Sequence, residues 1–86
     1  MTNNIVITKA LKIPMLSFKI FNKTFSINVH PNDRYIYATI DKNGVLSLHQ
    51  EYPVLDEKLE LWISSNIRYI SVVKFKGDWL DSLIKL

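Results

Sequence analysis

Three features of this sequence predict an α+β fold, with an antiparallel sheet of five to six strands and two helices packed on one face. Apolar and polar residues alternate through residues 15–51 and are interrupted by turn-forming residues, the pattern of strands joined as hairpins. Residues 53–66, PVLDEKLELWISSN, switch to a helical spacing. A second, shorter helical stripe follows Asp78. The expected order is β-β-β-β-β-α-β-α, in a single small domain over residues 1–86.

The first strand is expected within residues 4–13, NIVITKALKI, where Ile5, Ile7, Leu11 and Ile13 share a phase that Lys9 interrupts. Pro14 ends it and biases Ile13 toward the extended region. Residues 15–30 read as a hairpin, because Leu16, Phe18 and Ile20 fall on the same face as Phe25, Ile27 and Val29. A two-residue Asn22-Lys23 loop would pair Ile20 with Phe25, Phe18 with Ile27 and Leu16 with Val29. Pro31-Asn32-Asp33 then turns the chain into a second hairpin. There Ile36, Ala38 and Ile40 alternate before the loop, and Leu46 and Leu48 after it. A two-residue Asn43-Gly44 loop would set Ile40 against Ser47 and mix the faces. A three-residue loop, Lys42-Asn43-Gly44, pairs Ile40 with Leu46 and Ala38 with Leu48, and it puts Gly44 where φ must be positive. Residues 15–51 are therefore expected to form a four-stranded meander with one apolar face.

Pro53 suits the first turn of a helix, and Leu55, Leu59, Trp62 and Ile63 form the apolar stripe of that helix. Asp56, Glu57 and Glu60 lie early in it, where the macrodipole favours negative charge, and Asn66 is placed to cap its end. Residues 68–75, RYISVVKF, are apolar on both phases, as an interior strand would be. Gly77 and Asp78 break that strand. Asp78 then caps a short helix, DWLDSLIKL, whose Trp79, Leu80, Leu83 and Ile84 are expected to cover the sheet.

Composition narrows the function classes. There are no cysteines, which excludes a disulfide framework, thiolate metal sites and cysteine nucleophiles, and fits a reducing compartment. No apolar run approaches the ~18 residues that span a bilayer. The opening MTNNIVITKALKIP has neither a basic n-region nor an unbroken apolar run, so a cytoplasmic protein without a membrane partner is expected. The net charge of +3 is unevenly spread. Residues 1–50 hold six Lys/Arg against two Asp, and residues 51–86 hold five Lys/Arg against six Asp/Glu. The basic character thus belongs to the expected meander. Nine of the eleven basic residues are Lys, and Ile, Asn, Phe and Tyr abound. That is the output of an AT-rich genome, for example a low-GC bacterium or a tailed phage; it makes a phage or mobile element a reasonable source and weakens any reading of the lysines as selected for binding.

Three groups of residues are candidates for chemistry. The meander's second face gathers Ser17, Lys19, Phe21, Thr24, Ser26, Asn28, His30, Tyr35, Tyr37, Thr39, Ser47, His49 and Glu51. Aromatics interleaved with lysines on an open sheet can stack on bases while the cations meet phosphates, and Lys19, Lys23, Tyr35, Tyr37 and His49 are the residues expected to bind. The competing explanation is an ordinary solvated face, since Tyr and Thr favour strands anyway. No RNA-recognition-motif signature accompanies it. His30 and His49 could form an acid–base pair with Asp33 or Glu51, but no nucleophile elbow, phosphate loop or paired-carboxylate motif supports one. With no helical His-x-x-x-His spacing a zinc site is also not expected, and neither catalytic residues, metal nor cofactor are assigned. The tail WLDSLIKL could dock in a partner's groove, although covering its own sheet explains it more simply.

The expected function is a small non-catalytic binding protein, a phage or mobile-element accessory that inhibits a host or defence factor through its basic-aromatic face. Direct binding of RNA or single-stranded nucleic acid is the alternative, and a small nuclease comes third. The partner is accordingly a protein, a nucleic acid or both, and the protein a monomer or homodimer.

Overall fold

The computed structural model describes residues 15–30 and 32–86. The strand expected in residues 4–13 and the turn residue Pro31 lie outside them. Eight short strands and one turn of 3-10 helix follow in order. They are β1 (Met15–Ile20), β2 (Lys23–Asn28), β3 (Tyr37–Ile40), β4 (Val45–His49), β5 (Val54–Asp56), β6 (Leu61–Ile63), β7 (Ile67–Val72) and β8 (Ile84–Lys85), with the turn at Trp79–Asp81 before β8. The α+β expectation is corrected: the described residues are strands and turns, and no α-helix packs on any face.

The central hairpin forms as its sequence dictates. Ile40 pairs with Leu46 and Ala38 with Leu48 across the loop Lys42-Asn43-Gly44. Gly44 N donates to Asp41 O at 2.9 Å, and Asp41 N donates to Val45 O at 3.0 Å. Gly44 has φ +92, and a Cβ there would stand 2.6 Å from the carbonyl oxygen of Val73, so only glycine fits.

The other elements depart from the expected meander. β2 does not pair with β3: β1 and β2 form a sheet of their own, while β3 and β4 sit at the centre of a four-stranded sheet ordered β7-β4-β3-β8. The β1–β2 apolar face is as expected, but its register is not. Ile20 pairs with Lys23, Phe18 with Phe25 and Leu16 with Ile27, so the loop is Phe21-Asn22 rather than Asn22-Lys23. Both loop residues have positive φ, 53° and 64°, as a type I′ turn requires. Asn tolerates that conformation. Phe does so at a cost of ~1–2 kcal/mol, which tertiary contacts must offset. They are present: the Phe21 ring stacks on Phe75 with centroids 5.9 Å apart, and Gly77 leaves the space the ring occupies.

The β1–β2 hairpin lies face to face on the four-stranded sheet. Phe18, Ile20 and Ile27 meet Ala38, Ile40, Leu46 and Leu48 in one apolar cluster, with Tyr35, Ile70, Val73 and Phe75 at its margin. Full burial of Ile40, Leu46 and Leu48 contributes roughly 1.5–3 kcal/mol each.

A second hairpin, β5–β6, covers the opposite face in place of the expected first helix. Leu55 pairs with Trp62 and Val54 with Ile63. The apolar spacing of residues 53–66 suits either a helix or this hairpin, and local propensity is a weak prior between them. Polar anchors decide. The buried Asp41 carboxylate accepts the Trp62 N–H at 2.8 Å, Asp56 accepts the Leu59 N–H at 2.9 Å inside the turn, and Glu60 takes φ +60. Lys42 also forms an ion pair with Glu60.

The expected C-terminal helix is also corrected: it is a single 3-10 turn, Trp79–Asp81. Asp78 does cap it, accepting the Leu80 N–H at 3.0 Å, but Ser82 ends it by binding the sheet. Ser82 Oγ accepts the Ile40 N–H at 2.8 Å and donates to the Ile40 carbonyl at 2.9 Å. The chain then enters β8, which pairs with Tyr37 and Ala38 along the rest of the β3 edge. Residues 68–75, expected as an interior strand, supply instead the edge strand β7, where Tyr69 is 65% and Val72 73% exposed.

Candidate functional site: a basic-aromatic cleft

The turn of the first hairpin and the segment after β7 converge on an open cleft of about 380 Å³. It is lined by Phe21, Lys23, Lys74, Phe75 and Lys76. Its floor is the Phe21–Phe75 pair, whose ring planes lie 18° apart. Both rings are half-buried against the apolar cluster, which fixes them. Along residues 73–76 burial alternates: Val73 and Phe75 are half-buried, whereas Lys74 and Lys76 are exposed. That alternation is the mark of an extended chain with one side on the core. Lys23 Nζ donates to the Lys74 carbonyl at 3.1 Å and lies 5.8 Å from the Phe25 ring centroid, which ties the two segments together.

The lining carries three positive charges and no carboxylate. Among the described residues the only ion pair is Lys42–Glu60, on other elements, so no carboxylate lies within salt-bridge distance of the cleft lysines. Three cations around an apolar floor favour a ligand with negative charge and a flat unsaturated face.

The five residues expected to bind do not form one surface. Lys23 lines the cleft, and Lys19 is exposed on β1 opposite Thr24. Tyr35 is half-buried against the apolar cluster. Tyr37 lies on the other side of the sheet, edge-on to Tyr52 with centroids 5.1 Å apart. His49, expected at the surface, is fully buried beneath β5–β6. The meander's second face is therefore not one open platform: β5–β6 and the C-terminal segment cover its β3–β4 half, while its β1–β2 half, with Ser17, Lys19, Thr24, Ser26 and Asn28, is exposed on a separate sheet. Lys74, Phe75 and Lys76 were missed because residues 68–75 read as an interior strand. The signal that points to them is the Lys-Phe-Lys alternation at its end.

Under β5–β6 lies a polar layer. His49 Nε2 and Thr39 Oγ1 are 2.8 Å apart, and His49 Nδ1 and Ser64 Oγ 2.7 Å apart. Burial pulls the His49 pKa down to about 4. A hydroxyl beside an imidazole is the geometry of an activated nucleophile, but an imidazole with that pKa is a weak base at neutral pH, and its second partner is a hydroxyl rather than a carboxylate. His30 is apart from this network: it is exposed in a turn, where its Nδ1 accepts the Asn32 N–H at 3.2 Å. Burial raises the Asp41 carboxyl above its ordinary value, and the hydrogen bond from Trp62 N–H opposes the rise. Among the described residues no three His, Asp or Glu side chains gather in a group that could hold a metal ion, and no helix is long and apolar enough to cross a membrane. In comparisons with known proteins, no family model, no curated protein and no solved structure matches this chain, so its reading rests on its own residues.

Proposed function

We propose that this chain is a small non-catalytic binding protein that holds an anionic partner at the cleft formed by Phe21, Lys23, Lys74, Phe75 and Lys76. The observation that carries the reading is the convergence of three lysines without carboxylate partners on a fixed pair of aromatic rings. A cysteine-free chain suits action in a reducing cytoplasm. Retention on heparin tests it. Charge reversal of Lys74 and Lys76 to Glu is expected to release the protein at much lower salt than the same reversal of Lys58 and Lys85. Equal losses in the two double variants would mean that net charge alone drives retention, and would refute the assignment.

A second reading is favoured by the exposed edge strand β7. There the protein acts as an accessory of a phage or mobile element and inhibits a host or defence factor by docking on it. An exposed edge bearing Tyr69 and Val72 can add to another protein's strand. This reading expects capture of one defined protein that survives nuclease treatment and is lost in Tyr69→Asp.

A further inference from the structure

We infer that the partner at the cleft is single-stranded nucleic acid, with one unpaired base laid on the Phe21–Phe75 pair and the flanking phosphates met by Lys23, Lys74 and Lys76. The inference rests on the anion-binding reading above and adds the chemical class of the ligand.

Two observations select a single strand among anions. First, the floor is aromatic and half-exposed, so part of the binding surface has nothing to offer a bare phosphate. A base fills it by stacking, and a base is free to do so only when unpaired. Phosphate alone is held better by backbone N–H groups or by the arginine fork, and no arginine lines the cleft. Second, the volume of about 380 Å³ suits a base with its sugar and phosphate but not a duplex.

The conformation of Phe21 points the same way. A bulky residue at φ +53 is a local strain, and such strain collects where a side chain must be held in a set place. Here it delivers the ring to the tip of a turn beside three lysines, against a glycine that makes room for it.

The test uses the full chain and fluorescence anisotropy with four probes of matched length: fluorescein-labelled dT12, the same backbone with every site abasic, a 12-base-pair duplex and inorganic polyphosphate. The inference predicts that dT12 binds at least about 5-fold more tightly than the abasic strand, the range of one base–aromatic stack. It predicts weaker binding of duplex and polyphosphate than of dT12. The dependence of log K on log salt for dT12 should have a slope near −2, from about 0.7 per phosphate over three lysines. Lys74→Gln with Lys76→Gln should cut that slope to about −0.7. Phe21→Leu, checked by thermal melting, should reduce the preference for dT12 over the abasic strand while keeping the slope. Since the abasic probe needs no variant, the inference stays testable even if Phe21→Leu fails to fold. Equal affinity for dT12 and the abasic strand, or for dT12 and duplex, overturns the base-stacking inference and leaves anion binding standing. Failure of all four probes to bind at low salt overturns both.

Discussion

Ser47 and Ser82 offer a matched pair of substitutions, because both side chains are fully buried and only their hydrogen bonding differs. Ser82 Oγ holds both backbone groups of Ile40, a residue with no exposed surface, whereas Ser47 Oγ is buried without a partner among the described residues. Ser82→Ala removes two hydrogen bonds and strands one N–H and one carbonyl in the interior. Each orphaned group costs about 1–3 kcal/mol, so the expected loss is about 2–6 kcal/mol, less where water enters the vacated space. For a chain of this size 1 kcal/mol moves the melting temperature by about 4–8 °C, and the expected shift is about 8 °C or more. Ser47→Ala removes a hydroxyl that gains nothing from its site. It is expected to be neutral or to stabilise by up to about 1 kcal/mol. Urea unfolding monitored by tryptophan fluorescence measures both, with unchanged m-values confirming that the unfolded states match. If the two variants shift stability equally, the paired hydrogen bonds at Ile40 do not hold the β3 edge, and Ser82 is not what fastens the C-terminal segment to the sheet.

Gly44→Val should destabilise by about 2 kcal/mol or more, since its Cβ meets the Val73 carbonyl at 2.6 Å and φ is +92, while Asn43→Ala should cost under about 1 kcal/mol; equal melting shifts would reject the loop geometry. Stability should fall with acid because the folded protein holds His49 neutral at about 4 against an ordinary 6.5. The contribution is intact above pH 6.5 and lost as pH falls to 4, roughly 3 kcal/mol in all. Asp41, shifted upward, works in the opposite direction at the acid end, so the difference between the wild type and His49→Gln isolates the histidine; a pH-independent difference would refute its burial. Gly77→Ala should lower the melting temperature by several degrees, about 1–2 kcal/mol, because the new methyl stands 2.8 Å from Phe21 ring atoms; rescue by Phe21→Leu would confirm the contact, and its absence would place the strain elsewhere.

What could be read from the sequence divides by whether the deciding interaction is local. The loop and register of the central hairpin follow from alternation and one glycine, all within a few residues of each other. The apolar face of β1–β2 was equally legible, but its register slid by two because Phe75 and Gly77, more than fifty residues on, choose which pair of residues turns. The two expected helices failed for the same reason. Trp62 and Trp79 pack edge-on at 6.3 Å in a layer organised by Asp41 and Ser82, polar residues whose partners no periodicity reveals. Within the candidate site, Lys23 belongs to a hairpin that the alternation reveals, whereas its neighbours Lys74, Phe75 and Lys76 come from a segment whose edge position is a property of the sheet order. His49 is interior because β5–β6 and Ser64 lie over it, a contact that strand alternation does not encode.

The strand order β7-β4-β3-β8 also sets how the molecule assembles in time. The hairpin of β3 and β4 closes through contacts only a few residues apart, on the microsecond scale of isolated hairpins. Both of its outer edges then wait for later chain: β7 on one side, and Ser82 with β8 on the other, forty-two residues from Ile40 in the case of Ser82. Pairings over that separation must close long loops before they return any energy, which places folding toward the slow, millisecond-to-second end for small domains. During that wait two bare strand edges flank the residues that end up most buried, Ala38, Ile40, Leu46 and Leu48, and two chains in that state can pair with each other. Refolding yield should therefore fall as protein concentration rises, even though the finished fold protects the β3 edge along its whole length.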